Sequence, residues 1–322
     1  MDLHGLGTAD ASGGSVDRRE MPNVFLAGVP KAGTSALASY LAQHPQFTVS
    51  AIKEPNYFNT DLPFGHFTTP SAYLKLFKPP SKRAAEAPLP FRCDASILYC
   101  YSTVAAQRIA AEAATGARAV VVLRDPVDVM HAWHAQMRYT CNETIAGFAD
   151  ALDAEAARRA RSSTSGLVGL AARCPQILWY RGLVAYAPQV ERFQRHLGAA
   201  NVLVLLYEDL TRDTAAAFRT IMNFLGADAQ WRPSFERVNE GKERRWPGVH
   251  RAMKHLAGEP ARRLLSPNLR HRMISRWDQV TSVPARRPPL PPALRARLIH
   301  ELRPEVEQTA TLLARDLSAW LR

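Results

Sequence analysis

The apolar positions fall into two alternating kinds. Short unbroken runs read as buried strands at Val24–Ala27 closing on Gly28, Ala119–Leu123 and Val202–Tyr207, while Phe47–Ser50 reads as a short strand and Phe91–Ser96 as a strand leading into a polar turn. Between them the apolar residues recur at helical spacing. Leu37, Tyr40 and Leu41 share one helix face, and Gln43-His44-Pro45 ends it, because proline disfavours α geometry in the residue before it. Shorter patterns over Tyr73–Phe77 and Val104–Ile109 also read as helices. So do an Ala-rich stretch over Ile145–Arg161 and a pattern over Tyr180–His196 with Leu183, Tyr186, Val190 and Phe193 on one face. Phe218, Ile221, Phe224 and Leu225 mark a helix stopped by Gly226, and Leu294, Leu298, Leu302, Val306, Leu313 and Leu317 mark the final helices. Strands that alternate with helices predict an α/β fold, a central parallel β-sheet flanked by helices on both faces.

Two strand-to-helix junctions carry candidate chemistry. The first is Gly28-Val29-Pro30-Lys31-Ala32-Gly33-Thr34-Ser35. Its glycines let backbone N–H groups approach an anion, and the helix that follows adds a partial positive charge. Gly28 and Gly33 have the Walker A spacing, but Thr34 stands where that motif needs lysine, and the lysine is displaced to Lys31. The loop is therefore P-loop-like without being a Walker A. The second junction is Arg124-Asp125-Pro126, where an arginine at a strand's carboxyl end can grip a phosphate bidentately. A structural pairing of Arg124 with Asp125 or Asp128 is the alternative. His131 and His134 lie one turn on. Lys53-Glu54-Pro55, followed by Tyr57 and Phe58, forms a corner just past a predicted strand end. Glu54 there is either a general base or half of a surface ion pair.

Charge and cysteine content narrow the class. Of the net charge of +12, a local +11 lies between Gly241 and Arg303, where fifteen Lys/Arg face four Asp/Glu. Such a field draws an anionic ligand or is simply a solvated face. No nucleic-acid-binding signature accompanies it, so nucleic acid is not an expected partner. No apolar run reaches the roughly 20 residues that span a bilayer. Residues 1–20 read as a disordered leader without an apolar signal core, and residues 21–322 as one domain, basic and helical from about 241. The expected location is cytoplasmic. Cys93, Cys100, Cys141 and Cys174 lack metal-ligand spacing and read as reduced thiols, with a Cys141–Cys174 bridge the alternative. No metal is expected.

With these residues in view, the chain resembles the sulfotransferases that use 3′-phosphoadenosine 5′-phosphosulfate (PAPS). It is most similar to the bacterial branch related to glycan and nodulation-factor sulfotransferases. The resemblance runs from about Asn23 to the C-terminus. Phe25–Ser35 resembles the family's 5′-phosphosulfate loop, Val122–Asp128 its 3′-phosphate segment, and Lys53-Glu54-Pro55 with Tyr57-Phe58 the Lys-Glu-Pro segment of the glycan branch. Val204–Leu210 and Leu312–Leu317 also fit that branch. The two phosphate motifs, in order and roughly ninety residues apart, are the specific part. Two positions depart from the pattern: Ala132 replaces a serine that also touches the 3′-phosphate, and Ile97 replaces the proline after Asp94-Ala95-Ser96.

The resemblance implies roles. Lys31 contacts the 5′-phosphate and the bridging oxygen of the leaving group. Pro30, Ala32, Gly33, Thr34 and Ser35 complete the donor loop, and Arg124 holds the 3′-phosphate. Glu54 takes the acceptor's proton with Lys53 beside it, and Arg244 and Arg245 cover the nucleotide. PAPS is the co-substrate and PAP the product, without a metal. The acceptor is a hydroxyl, less commonly an amine, of a glycan, a lipid-linked sugar or a small metabolite, framed by segments 58–90 and 136–166. A homodimer is compatible with this. A P-loop kinase and a non-catalytic module that binds PAP or another anion are the competing classes.

Overall fold

The computed structural model describes residues 17–63, 67, 69–77, 90–160, 164–236, 242–244, 282–284 and 288–322. Five strands form one parallel sheet: β1 (Val24–Gly28), β2 (Phe47–Val49), β3 (Phe91–Asp94), β4 (Arg118–Leu123) and β5 (Val202–Leu206), in the order β2-β3-β1-β4-β5. Every residue of β1 is buried, as are all of β4 after Arg118. Strands covered on both faces in this way need unbroken apolar runs rather than alternation, which is the pattern both show.

Ten helices accompany the strands among the described residues: α1 (Thr34–Gln43), α2 (Pro70–Leu74), α3 (Ala105–Glu112), α4 (Pro126–Tyr139), α5 (Phe148–Ala160), α6 (Tyr180–Leu183), α7 (Tyr186–Leu197), α8 (Tyr207–Arg212), α9 (Thr214–Leu225) and α10 (Pro292–Leu313). β6 (Lys242–Arg244) and β7 (Ser282–Pro284) form a second, two-stranded antiparallel sheet.

Three elements differ from the sequence pattern. The expected helix over Tyr180–His196 is broken into α6 and α7. Pro188 cannot bond back to the Val184 carbonyl and its ring would collide with it, so the helix restarts with Pro188 in its first turn. Tyr207, expected to close a strand, instead opens α8. The helix expected over Tyr73–Phe77 begins earlier, at Pro70, and its last turn tightens to a 3-10 helix over Lys75–Phe77. Thr69 explains the early start, because its side chain accepts a hydrogen bond from the Ala72 N–H as an N-cap.

The chain divides into two compact units. The larger holds the parallel sheet and, among described residues, 17–130, 181–236 and 292–322. Its core carries a ring cluster of Phe25, Phe58 and Tyr99, with Tyr73 stacked on Tyr57 at 4.2 Å. The second unit holds residues 131–180 and the β6–β7 pair. Its interior is pinned by Glu143, whose buried carboxylate is gripped by Arg158 at 2.7 and 2.8 Å and accepts from the Tyr180 hydroxyl at 2.8 Å. Those bonds together outweigh burial and hold the Glu143 carboxyl below its ordinary range. Among the described residues no helix is long and apolar enough to cross a membrane, and no group of three or more His, Cys, Asp or Glu is placed to hold a metal ion.

Candidate active site

The sheet order creates a switch point. From β1 the chain leaves toward β2 on one side, and from β4 it leaves toward β5 on the other. In open parallel sheets, the crevice between two such neighbours, at their carboxyl ends, is where ligands bind. The Gly28–Ser35 loop leaves β1 there and Arg124 leaves β4.

The loop is fastened at its root. At Gly28 the β1–β4 register shifts, and the Val29 N–H donates to the Val122 carbonyl at 2.9 Å. A Cβ on Gly28 would lie 3.1 Å from the Cys100 Cβ and 3.3 Å from the Ile97 carbonyl oxygen. The Cys100 N–H also donates to the Ala27 carbonyl at 2.9 Å. Glycine therefore suits this position, where the 97–100 turn comes close to the strand end. Ile97 in place of proline does not prevent that turn, since the Tyr99 N–H closes it on the Ser96 carbonyl at 3.1 Å.

At the other end, Gly33 caps α1 with a left-handed φ of 84°. Its α-carbon faces the Tyr207 ring, which a Cβ would meet at 3.4 Å. Lys31 is also left-handed, at φ 66°. Pro30, Ala32 and Thr34 are buried, and Lys31, Gly33 and Ser35 are partly exposed. The first amides of a helix have no partner within it, so the opening of α1 presents donors to whatever sits in the loop.

Arg124 is tied to this loop directly. Its guanidinium donates to the Lys31 carbonyl at 3.0 Å and to Asp128 Oδ2 at 3.2 Å, and it lies 4.6 Å over the Tyr207 ring. The structural pairing considered for Arg124 is therefore present, with Asp128. The Tyr186 hydroxyl donates to the Arg124 carbonyl at 2.9 Å. Asp125 caps α4 through the Val127 N–H at 2.8 Å. Tyr207 therefore fills the space between Gly33 and Arg124, a role its place at the end of an apolar run gave no sign of.

The Lys53-Glu54 corner meets the loop helix. Lys53 Nζ donates to Ser35 Oγ at 2.6 Å and lies 3.4 Å from Glu54 Oε1. Glu54 (φ 58°) and Asn56 (φ 53°) are both left-handed, a conformation that costs a non-glycine residue energy and persists only when the surroundings enforce it. The enforcing groups lie beneath. The Asn56 side chain donates to the Glu54 carbonyl at 2.9 Å, and its N–H donates to Ser96 Oγ at 3.0 Å. Buried Asp94 accepts from the hydroxyls of Ser96 (2.7 Å), Tyr99 (2.7 Å) and Tyr73 (2.5 Å), and Tyr99 Oη in turn receives the Tyr57 N–H at 3.1 Å.

Burial is the largest influence on the Asp94 carboxyl and pushes it up; the three hydroxyls oppose the rise and Glu54 adds to it. A carboxyl raised on folding stabilises the fold below its unfolded value, and that contribution fades as pH rises through the folded value. The Asp94→Asn variant should therefore gain stability relative to the parent as pH rises from about 4. Urea midpoints measured across pH 3.5–7 check this, and a constant difference between the two proteins would contradict it.

The other expected residues belong to the second unit or fall outside the described residues. Arg244 lies on β6 in the second unit, and Arg245 falls outside the described residues, as do 64–66, 68, 78–89 and 161–163 of the segments expected to frame an acceptor. In the second unit, His134 is buried with a ring nitrogen 3.1 Å from the Ile145 carbonyl and its ring against Phe148. Burial holds it below the ordinary histidine range. It is a packed core histidine, and Ala132 beside it is buried as well. All four cysteines are buried, and burial pushes the Cys100 thiol up to about 12.

A strand, a glycine loop and a helix at the switch point of a parallel sheet define a P-loop-like phosphate-directed fold. The sequence matches the sulfotransferase domain model over residues 21–241, and the chain belongs to that family of sulfuryl-transferring enzymes. It is similar to the bifunctional heparan sulfate N-deacetylase/N-sulfotransferase 1 of Mus musculus, 27% identical over 221 residues, covering 64% of this chain and 22% of that protein. It is also similar to the bifunctional heparan sulfate N-deacetylase/N-sulfotransferase 3 of Homo sapiens, 25% identical over 211 residues with the same coverage. The chain thus spans about a fifth of the length of the curated relatives it matches. A solved sulfotransferase from Alicyclobacillus acidocaldarius shares the fold with a TM-score of 0.62 at 23% identity, covering 94% of this chain and 99% of that one.

Proposed function

We propose that the chain transfers a sulfuryl group from PAPS to a hydroxyl of a glycan or small-molecule acceptor. The observation that carries the reading is the Lys53–Ser35 bond of 2.6 Å, which sets the Lys-Glu corner against the helix that opens from the phosphate-directed loop. A base and an anion cradle side by side are what in-line transfer between two oxygens requires.

The residues fit the donor. The left-handed φ of Gly33 suits glycine, and the start of α1 offers amides and dipole to the 5′-phosphosulfate. PAPS supplies an activated sulfuryl group on a phosphate leaving group. Glu54 takes the acceptor's proton as the acceptor oxygen bonds to sulfur. Lys31 stabilises the negative charge left on the 5′-phosphate oxygen as its bond to sulfur breaks. Lys53 orients Ser35 and Glu54. Arg124 contributes the grip for the 3′-phosphate, and Arg244 and Arg245 are assigned to cover the nucleotide. Glu54 then returns its proton to solvent.

Incubation with labelled PAPS and a panel of hydroxylated acceptors tests this. Label moving to an acceptor, with PAP released in equal amount, is expected; label that stays on the donor across the panel would overturn it. Arg124→Ala should weaken PAP binding by roughly tenfold to a hundredfold while adenosine 5′-phosphate binds nearly as before. Calorimetry with the two nucleotides reads that difference. The names of the heparan sulfate relatives favour a second acceptor, a sugar amine. Including a de-N-sulfated glycan in the panel separates N- from O-transfer.

A further inference from the structure

Arg124 has an awkward neighbourhood for a group that is to hold an anion. Asp125 and Asp128 lie on the same turn, and Asp128 Oδ2 is 3.2 Å from the Arg124 guanidinium. One arginine among two carboxylates leaves a net negative site, which would repel a phosphate. The balance is restored from far along the chain. Arg295, in the first turn of α10, donates to Asp125 Oδ2 at 2.6 Å and to Asp128 Oδ1 at 3.1 Å. Two arginines then face two carboxylates, and Asp128 is shared between them.

The helix that delivers Arg295 and the chain after it are fastened to the same unit. Glu305 accepts from the Ala187 N–H at 3.0 Å, Arg315 bonds Asp209 at 3.0 Å, and Trp320 Nε1 donates to Glu208 at 3.0 Å. Glu208 and Asp209 belong to α8, whose first residue, Tyr207, lies under Arg124. Burial and Asp128 push the Asp125 carboxyl up, and Arg295 opposes that rise. Arg295 also lies beyond the 21–241 stretch that the family model matches.

We propose that Arg295 is a positioning residue for the donor's second phosphate: it neutralises the Asp125–Asp128 pair, so that the Arg124 guanidinium can turn its uncommitted donors to an anion. This rests on the donor reading above. A guanidinium has five N–H donors, and among the described residues Arg124 engages one carbonyl and one carboxylate.

Calorimetry on the full chain tests it, with PAP and adenosine 5′-phosphate as probes. Arg295→Met should bind PAP roughly tenfold more weakly, with adenosine 5′-phosphate within about twofold of the parent. Adding Asp125→Asn, which keeps an oxygen to cap α4, should restore most of the PAP affinity. Because neutralising Asp125 also relieves a buried unpaired carboxylate, the retained adenosine 5′-phosphate affinity is what separates positioning from a structural defect. The idea falls if Arg295→Met binds PAP like the parent, if it loses both nucleotides equally, or if the double variant is no better than the single one. A parent protein that does not prefer PAP to adenosine 5′-phosphate would overturn the donor reading and this inference with it, whereas a preference abolished by Arg124→Ala but untouched by Arg295→Met would overturn this inference alone.

Discussion

Replacing Glu54 by glutamine should leave PAP affinity nearly unchanged and lower kcat by about a hundredfold or more. The amide keeps the size of the side chain and its carbonyl oxygen, so the turn has no steric reason to move. What it loses is the ability to take a proton as the acceptor oxygen attacks. The left-handed backbone at Glu54 makes the swap clean, because glutamine inherits the same strain as glutamate. The Asn56 and Ser96 bonds that hold the turn do not involve the carboxylate. Steady-state kinetics with the donor saturating, beside a direct PAP titration, separate the two effects. Full turnover in the variant would remove Glu54 from the reaction.

Lys31→Ala should have an effect of similar size on a different step. Removing a preorganised positive group from a leaving phosphate costs roughly 10² to 10³ in kcat. Donor affinity should fall less, by about tenfold, because an ammonium helps the developing charge more than the ground state. Alanine and lysine pay the same left-handed penalty at φ 66°, and the carbonyl that Arg124 holds remains. The substitution therefore removes the ammonium while the backbone bond to Arg124 stays in place. A donor whose leaving group is intrinsically better should suffer less from the variant, and the kcat ratio between two donors of different leaving ability reads this. Equal losses on both donors would argue that Lys31 acts before the chemical step.

Much of the scaffold was readable because its signals are local. Unbroken apolar runs located β1, β4 and β5, and the glycine pair with a displaced lysine marked the loop before any fold was known. Proline chemistry could have warned of the break between α6 and α7, since Pro188 needs no distant partner to act. What stayed hidden depends on groups that meet only when the sheet closes. Arg124 and the Lys31 carbonyl are 93 residues apart, and Arg295 and Asp125 are 170 apart. The left-handed Glu54 and Asn56 stayed hidden for another reason: glutamate gives no sign of that conformation, asparagine only tolerates it, and it is imposed by the Asp94 network below. Tyr207 read as the end of a strand because it closes an apolar run, although its ring serves the loop.

The Gly28 junction has a consequence for how the loop behaves. With the 97–100 turn close against it, the Ala27 and Val122 carbonyls bonded, and Arg124 holding the Lys31 carbonyl, the loop's shape is held by bonds within the protein. The conformational entropy of ordering it is lost when the protein folds, not when the donor arrives. Changes at Gly28, Cys100 or Ile97 should then register first as a less stable protein and only afterwards as a weaker enzyme.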